Sequence, residues 1–349
     1  VQLKGEPGVE QVVKSIDLGQ QIMATAASAD LARVFAAVRS DPATDRRGGV
    51  WVIDGVALQK ADALPGTAGA DMIPLPYGQS PTAIALDPKG RYLYVAATGA
   101  VFVIDIDPGS AKLHEVVDTI PIATPTGRIN DIPIATPTGR INDLAVNADG
   151  TRLYLTAPAT ELYGDLPVPK AWVVGGRDLG QVLVVNVDER DRPANPTAPN
   201  TRKWRKVIAT LDGGLEPYGI KPTSFADKMI FTSRLRGGPN STFEGLQTIV
   251  VTSNSPTSFA ATVSTINLQL SDNIQQKYQL YIRNPVDVAI LADGAETVTR
   301  APSRTIARAS SEQIVPLPTT HTCEPWIVTR VFAIAAASAS CSGSRRIVI

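Results

Sequence analysis

Two stretches of the sequence decide the fold, PTAIALDPKGRYLYVAATG at residues 81–99 and INDLAVNADGTRLYLTAP at residues 141–158. Equivalent residues lie 60 positions apart: Gly90 and Gly150, Leu93 and Leu153, Tyr94 and Tyr154, Ala97 and Ala157. Each stretch has an alternating strand, a turn built on Asp, Asn or Gly, and a strand rich in aromatic and β-branched residues, which predicts a β-hairpin. Two copies of one hairpin indicate a repeat protein.

The same hairpin recurs in weaker form elsewhere in the chain. Repeat copies start near residues 24, 81, 141, 218 and 284. A second signature follows each of the first four hairpins, a nearly continuous apolar run that ends in a small polar residue. These runs are VWVID at 50–54, VFVID at 101–105, VLVVN at 182–186 and TIVVT at 248–252. A run of this kind predicts a strand that is buried on both faces.

Four antiparallel strands repeated every 40 to 60 residues or so are the unit of a β-propeller blade. The two strongest copies resemble YVTN-type propeller repeats, with YVAA at residues 94–97 and YLTA at residues 154–157 at the place of the name motif. The resemblance covers about residues 16–294. We therefore predict an all-β fold, a β-propeller of four-stranded antiparallel blades. Because members of this family are mostly exported, the resemblance implies an extracellular, cell-surface or periplasmic location.

The repeat pattern stops after Gly294. Residues 1–294 are predicted to hold the blades, and residues 295–349 an atypical, irregular C-terminal tail, because neither signature recurs there. The tail is either an irregular closing blade or a linker to another module. Four complete copies and one opening are few for a closed ring, so the chain could also be a segment of a larger chain or assembly.

Composition and hydropathy argue against nucleic-acid and membrane partners. Lys and Arg number 33 and so do Asp and Glu, so no net charge attracts nucleic acid or an anionic membrane over long distances. No apolar run is long enough to span a membrane.

The chain starts at Val1 without a methionine, which indicates a processed or excised segment. Cys323 and Cys341 are either a disulfide or two free thiols.

An exact tandem duplication stands between two of the repeats. The dodecapeptide IPIATPTGRIND occupies residues 120–131 and again residues 132–143. Without one copy, the spacing of Gly90 and Gly150 would fall from 60 to 48, close to an ordinary propeller repeat of about 45 residues. We therefore interpret the extra copy as an insertion in a connector between blades, either functional or neutral, and a propeller can carry such an insert at little cost.

The working face is predicted from the loops. In an antiparallel blade, the loops between strands 2 and 3 lie at the same end as the connectors between blades. The expanded 2–3 loops, at residues 39–47, 158–177 and 234–244, would meet the duplicated connector there. Five arginines would form a cationic rim that binds carboxylate or sulfate, unless they merely solvate long loops. They are Arg46, Arg47, Arg177, Arg234 and Arg236.

Other candidate sites have weaker signals. Asp105 and Asp107 could bind a metal ion, although the sequence around them is also that of an ordinary turn. The RKWRK segment at residues 202–206 resembles a nucleic-acid patch, but a charged outer strand explains it better. His114 and His321 are the two histidines, and we expect each to be a surface or packed residue rather than a catalyst.

No motif for hydrolysis, phosphoryl transfer or dinucleotide binding occurs, and we expect no cofactor. The sequence therefore favours a non-enzymatic, exported propeller that binds a protein or a glycan, or that serves as a structural module of a cell-surface assembly. The alternative is a propeller enzyme of lactonase or lyase type with its site at the central channel.

Overall fold

The computed structural model describes residues 14–64, 69–122, 141–157, 180–195, 197–214, 217–233 and 245–266. It also describes the backbone of short strands at 128–129, 132–133, 173–174, 177–178, 285–290, 296–300, 307–309 and 346–348. Among these residues there is no α-helix, which confirms the all-β prediction.

The N-terminal strand β1 (Ser15–Asp17) precedes two blades, each an antiparallel sheet with its strands in chain order. The first blade contains β2 (Ile22–Ala27), β3 (Arg33–Val38), β4 (Gly49–Asp54) and β5 (Gln59–Ala61), and β6 (Ile73–Pro74) also pairs with β4. The second blade contains β7 (Ala83–Leu86), β8 (Tyr92–Ala97), β9 (Ala100–Asp105) and β10 (Val116–Pro121).

Two further four-stranded blades follow. The duplicated segment contains a short hairpin of β11 (Arg128–Ile129) and β12 (Ile132–Pro133). The third blade contains β13 (Asp143–Val146), β14 (Arg152–Ala157), β17 (Gln181–Asn186) and β18 (Val207–Asp212), with a hairpin of β15 (Val173–Val174) and β16 (Arg177–Asp178) between its second and third strands. The fourth blade contains β19 (Pro217–Pro222), β20 (Lys228–Ser233), β21 (Gly245–Asn254) and β22 (Phe259–Ile266).

Described strands also occur within residues 295–349, the segment that we predicted to be either an irregular closing blade or a linker to another module. β23 (Pro285–Ile290), β24 (Glu296–Arg300) and β25 (Ala307–Ala309) form a fifth sheet, and β26 (Arg346–Val348) pairs with β1. The repeat signatures did not reveal β24, β25 or β26, because these strands lack the aromatic and continuous apolar patterns of the other blades. Cys323 and Cys341 lie outside the described residues.

By internal contacts, the chain divides into two compact units. One contains Val1–Ile120 and Thr320–Ile349, and the other contains Pro121–Thr319. One of the two boundaries, between residues 120 and 121, therefore falls at the start of the duplicated dodecapeptide, and the other falls between residues 319 and 320.

In the first unit, apolar faces of the first and second blades form one core. Leu93, Val95 and Ala97 of β8 pack in the same cluster as Phe35 and Ala37 of β3. The opposite face of the first blade is also covered, since Val34, Ala36 and Val38 pack with residues near β1. Each fully buried large apolar side chain contributes about 1.5–3 kcal/mol to folding. In the first blade, the apolar run at residues 50–54 is thus packed on both faces.

In the second unit, the third and fourth blades are joined in the same way. Tyr154, Val182 and Val184 share a cluster with Met229 and Phe231, among others. The ring of Phe259 meets Tyr154 edge to face, with 6.5 Å between ring centroids.

The two glycines that revealed the repeat, Gly90 and Gly150, both adopt a left-handed backbone conformation in a turn. Gly90 has φ of 69° and Gly150 has φ of 72°, each in the turn between the first and second strands of its blade. Glycine adopts this left-handed conformation without the Cβ penalty of other residues.

Candidate functional site

Three loops of the first unit meet at one end of the first blade, and we call them the loop face: residues 18–21, residues 39–48 and residues 75–80. The backbone N–H of Ser40 donates to Ser80 Oγ at 3.3 Å, and that of Leu75 donates to Gly48 O at 3.0 Å. The 2–3 loop and the connector after the blade therefore lie at the same end, as antiparallel topology predicts.

Local hydrogen bonds order the 2–3 loop. Asp41 caps a 3₁₀ turn at Pro42–Thr44, and its Oδ1 accepts from the N–H of Ala43 at 3.1 Å. The N–H of Asp41 donates to Arg46 O at 2.9 Å, which closes the loop on itself. Asp45 reverses the chain with a positive φ of 52°. A loop held in this way offers its side chains in a defined arrangement.

Arg46 and Arg47, two of the predicted rim residues, are exposed on this loop. The Nη1 of Arg46 donates to Gly19 O at 3.0 Å. The guanidinium carbon of Arg47 lies 5.7 Å from the ring centroid of Tyr77, within the range of a cation–π contact. Tyr77 is 74% exposed and its hydroxyl donates to Asp45 Oδ1 at 3.2 Å. Sequence reasoning missed Tyr77, because it stands in a connector outside both repeat signatures.

A cleft of about 300 Å³ opens on the same face. It is lined by residues 19–21 and 39–42. Gln20 is buried, and its Nε2 donates to the carbonyls of Arg39 and Arg47, each at 2.8 Å. This one side chain therefore fixes both ends of the 2–3 loop around the cleft.

The side chains of the other three predicted rim residues are not among those that the structure describes. The backbone of Arg177 lies in β16, opposite Val174, and its side chain is outside the described residues. Arg234 and Arg236 are also outside them. Whether all five arginines meet on one face therefore stays a prediction.

The carboxylates of Asp105 and Asp107 hold a turn. Asp105 Oδ1 accepts from the N–H of Asp107 at 3.0 Å, and its Oδ2 accepts from Ser110 Oγ at 2.7 Å. Asp107 Oδ1 accepts from the N–H of Gly109 at 2.9 Å. Within the described part of the chain, no group of three or more His, Cys, Asp and Glu side chains could hold a metal ion.

His114 lies in the turn before β10, not in the outer strand itself. Its φ is 65°, and its buried ring has Nδ1 3.0 Å from Ala63 O. Burial lowers the pKa of His114 below its ordinary value of 6.5. The residue is a packed histidine whose neutral form is favoured.

Among the described residues, the largest fully buried side chain is one that sequence reasoning missed, Arg152 at the start of β14. Its side chain is 1% exposed, and Nη1 donates to Asn186 Oδ1 at 2.6 Å and to Thr151 O at 2.7 Å. Burial lowers the pKa of the guanidinium, while the charges of Asp188 and Asp191 oppose that shift. Since arginine stays protonated at neutral pH, the third blade holds a buried cation.

The RKWRK segment forms turns that contact Asn186, the hydrogen-bond partner of Arg152, and it does not form an edge strand. It lies in turns before β18. Lys203 and Arg205 each have a positive φ of 53°, which is typical of turns and not of strands. Arg202 pairs with Asp191 at 2.9 Å. The Trp204 ring has the guanidinium carbon of Arg205 at 4.2 Å from its centroid. These contacts assign the segment to the structure of the third blade.

The first strands of the third and fourth blades are tied by an ion pair. Asp143 Oδ2 accepts from Lys221 Nζ at 2.8 Å and from the N–H of Ile220 at 3.0 Å. First strands of blades line the channel of a propeller, where the enzyme alternative would need a free acid or base. The described contacts of Asp143 give it a structural role.

Four-stranded antiparallel sheets in chain order, packed in pairs through apolar faces, define a β-propeller protein. This assignment rests on the strands and registers of the chain itself. In the described residues, no helix has the length and apolar character to cross a membrane.

Solved structures that the chain is similar to include a structure of U3-55K (12% identity, TM-score 0.45, 82% of this chain and 61% of that one). Others are the RRP9 WD40 repeats (11%, 0.44, 80% and 57%) and the β-propeller domain of Cps50 (Swd1) from Myceliophteria thermophila (11%, 0.43, 88% and 88%). The chain spans about three fifths of the length of the first two. No family model and no curated protein matches the sequence. The YVTN subtype stays a prediction.

Proposed function

We propose that this protein is a protein-interaction module whose loop face binds an acidic segment of a partner protein. The observation that carries the proposal is the grouping of exposed Arg46, Arg47 and Tyr77 beside a cleft of about 300 Å³.

The chemistry of the three side chains supports this function. A guanidinium donates two parallel hydrogen bonds to a carboxylate. Tyrosine and arginine are enriched among the residues that contribute most to protein interfaces. Because Arg46 and Tyr77 are already hydrogen bonded in the free protein, little conformational entropy remains to be lost on binding.

The wider proposal includes the other predicted rim residues. Arg177, Arg234 and Arg236 would extend the cationic surface if their loops reach the same face. The same chemistry suits the carboxylates and sulfates of a glycan, and the YVTN resemblance supports an exported or cell-surface setting for either ligand. The test below separates a peptide from a glycan.

Fluorescence anisotropy with labelled peptides tests the proposal. The probes are twelve-residue peptides rich in Glu, Gln or Lys, together with a heparin fragment as the acidic glycan. We expect binding of the Glu peptide that weakens with added salt. Arg46→Ala with Arg47→Ala should weaken it about tenfold or more, since a hydrogen bond to a charged group contributes about 1.5–3 kcal/mol.

The matched control is Lys89→Ala with Lys112→Ala, which removes two exposed charges from turns at the other end of the second blade. It has the same effect on net charge and should leave binding unchanged. Equal losses in both variants would show attraction by net charge alone and would contradict a site at the loop face. Preference for heparin over the Glu peptide would replace the protein partner with a glycan.

A further inference from the structure

The outer strands of the described blades differ in how their free edges are protected. An exposed edge pairs readily with another chain unless charge, proline, shortness or a bulge prevents it. β5 has three residues including Lys60, β10 contains Asp118 and Pro121, and β18 ends in Asp212. β22 is eight residues long, FAATVSTI, with neither a charge nor a proline.

Hydrogen bonds of the fourth blade show which backbone groups of β22 face outward. The N–H of Val251 donates to Asp227 O at 2.8 Å, on the side away from β22. Ala261 is the partner of Val251 in the ladder, so its own N–H and C=O point away from β21. By alternation along the strand, those of Val263 and Thr265 do the same. Among the described residues, β22 pairs with β21 alone.

The side chains of β22 alternate between a packed and a free face. Phe259, Ala261 and Val263 are half-buried in the core shared with the third blade. Thr262 and Ser264 are exposed. The strand is therefore anchored on one side of the sheet, and no described residue pairs with its outer edge.

We propose that β22 is a dimerisation edge that pairs with β22 of a second copy of this chain. An antiparallel pair about a two-fold axis at Val263 sets Ala261 opposite Thr265 and Val263 opposite itself. The three pairs would form about six backbone hydrogen bonds, two for each. Thr262 would lie opposite Ser264 of the second copy, a favourable cross-strand pair of small hydroxyl side chains.

The absence of charge favours a second copy as the occupant. A two-fold axis brings the same short strand against itself, so any charge near its centre meets a like charge. The carboxylate of Asp118 would repel its own copy in a self-paired β10, whereas β22 has no such conflict. This inference is independent of the proposed function, since β22 does not belong to the loop face.

Sedimentation equilibrium across a wide range of protein concentration tests the proposal. We expect the mass of the wild-type protein to rise from one chain to two. Thr262→Lys with Ser264→Lys should stay at one chain, because each introduced ammonium lies opposite another across the axis. Thr262→Lys with Ser264→Glu should dimerise again, because each ammonium then lies opposite a carboxylate.

The two variants are matched controls for each other. Both lose the hydrogen bond between the hydroxyls of Thr248 and Ser264, so this loss cancels in the comparison. Circular dichroism and the thermal midpoint should show that both are folded. A wild-type protein of one chain at every concentration overturns the proposal, and so does a double-lysine variant that dimerises like the wild type.

Discussion

At the scale of single residues, Arg152 decides the stability of the third blade. We predict that Arg152→Met lowers the free energy of unfolding by about 3 kcal/mol, because Asn186 and the nearby carboxylates lose their buried cation. Urea unfolding measures the change. Arg190→Met is the comparison, since that guanidinium is 79% exposed although its partner Asp188 is buried. Equal stability of both variants would contradict a special role for Arg152.

His114 makes stability depend on pH. Because burial holds its pKa below 6.5 in the folded protein, unfolding takes up a proton between that lowered pKa and 6.5. The free energy of unfolding should therefore fall as the pH drops through 6.5. His114→Asn should flatten this dependence, since Asn tolerates the positive φ of this position but does not titrate. Urea titrations at several pH values provide the measurement. An unchanged slope in the variant would assign the proton uptake to other groups.

At the scale of elements, the duplicated dodecapeptide is predicted to be dispensable for folding. Deleting residues 132–143 leaves Pro121 at the end of β10, and it places an identical IND from residues 129–131 before Leu144. Every residue type that begins the third blade is kept. The free energy of unfolding should change by less than about 1 kcal/mol, since halving a loop is worth about 0.6 kcal/mol.

The two copies can be compared directly by urea unfolding. Asp143→Ala should cost about 1.5–3 kcal/mol, because it removes the acceptor for Lys221 and for the N–H of Ile220. Asp131→Ala changes the equivalent residue of the first copy and should cost less. A strongly destabilised deletion variant would instead show that the added length itself is needed.

The elements themselves show how far the sequence is informative. Local periodicity predicts the Gly90 turn, the apolar runs and the strand order of four blades. Each of these patterns can be recognised within a short stretch of sequence. Arg152 could not be recognised, because its partner Asn186 lies 34 positions away and the equivalent residue of the second blade is Tyr92. The RKWRK segment was misassigned for the same reason, since only its contacts with Asp191 reveal it as a folded turn.

At the scale of the whole molecule, the structure describes the side chains of only two of the five arginines in the predicted site. The loop face was expected from topology, and Arg46 and Arg47 lie on it. Tyr77 and the cleft were not foreseen, since both depend on connectors that obey no repeat pattern. The two compact units meet in sequence at residues 120 and 121, where the duplication begins. The added copy therefore belongs to the N-terminal end of the second unit and precedes the first strand of the third blade.

The position of Arg152 also bears on how the protein folds while it is being synthesised. Its Nη2 donates to Asn254 O at 3.3 Å, across 102 residues of chain. During translation, the ribosome exposes the third blade well before the hairpin of β21 and β22 emerges. Until then Nη2 of Arg152 lacks its Asn254 partner, and the third blade lacks the strands of the fourth blade that pack against it. We expect nascent chains that stop between these residues to be prominent clients of chaperones.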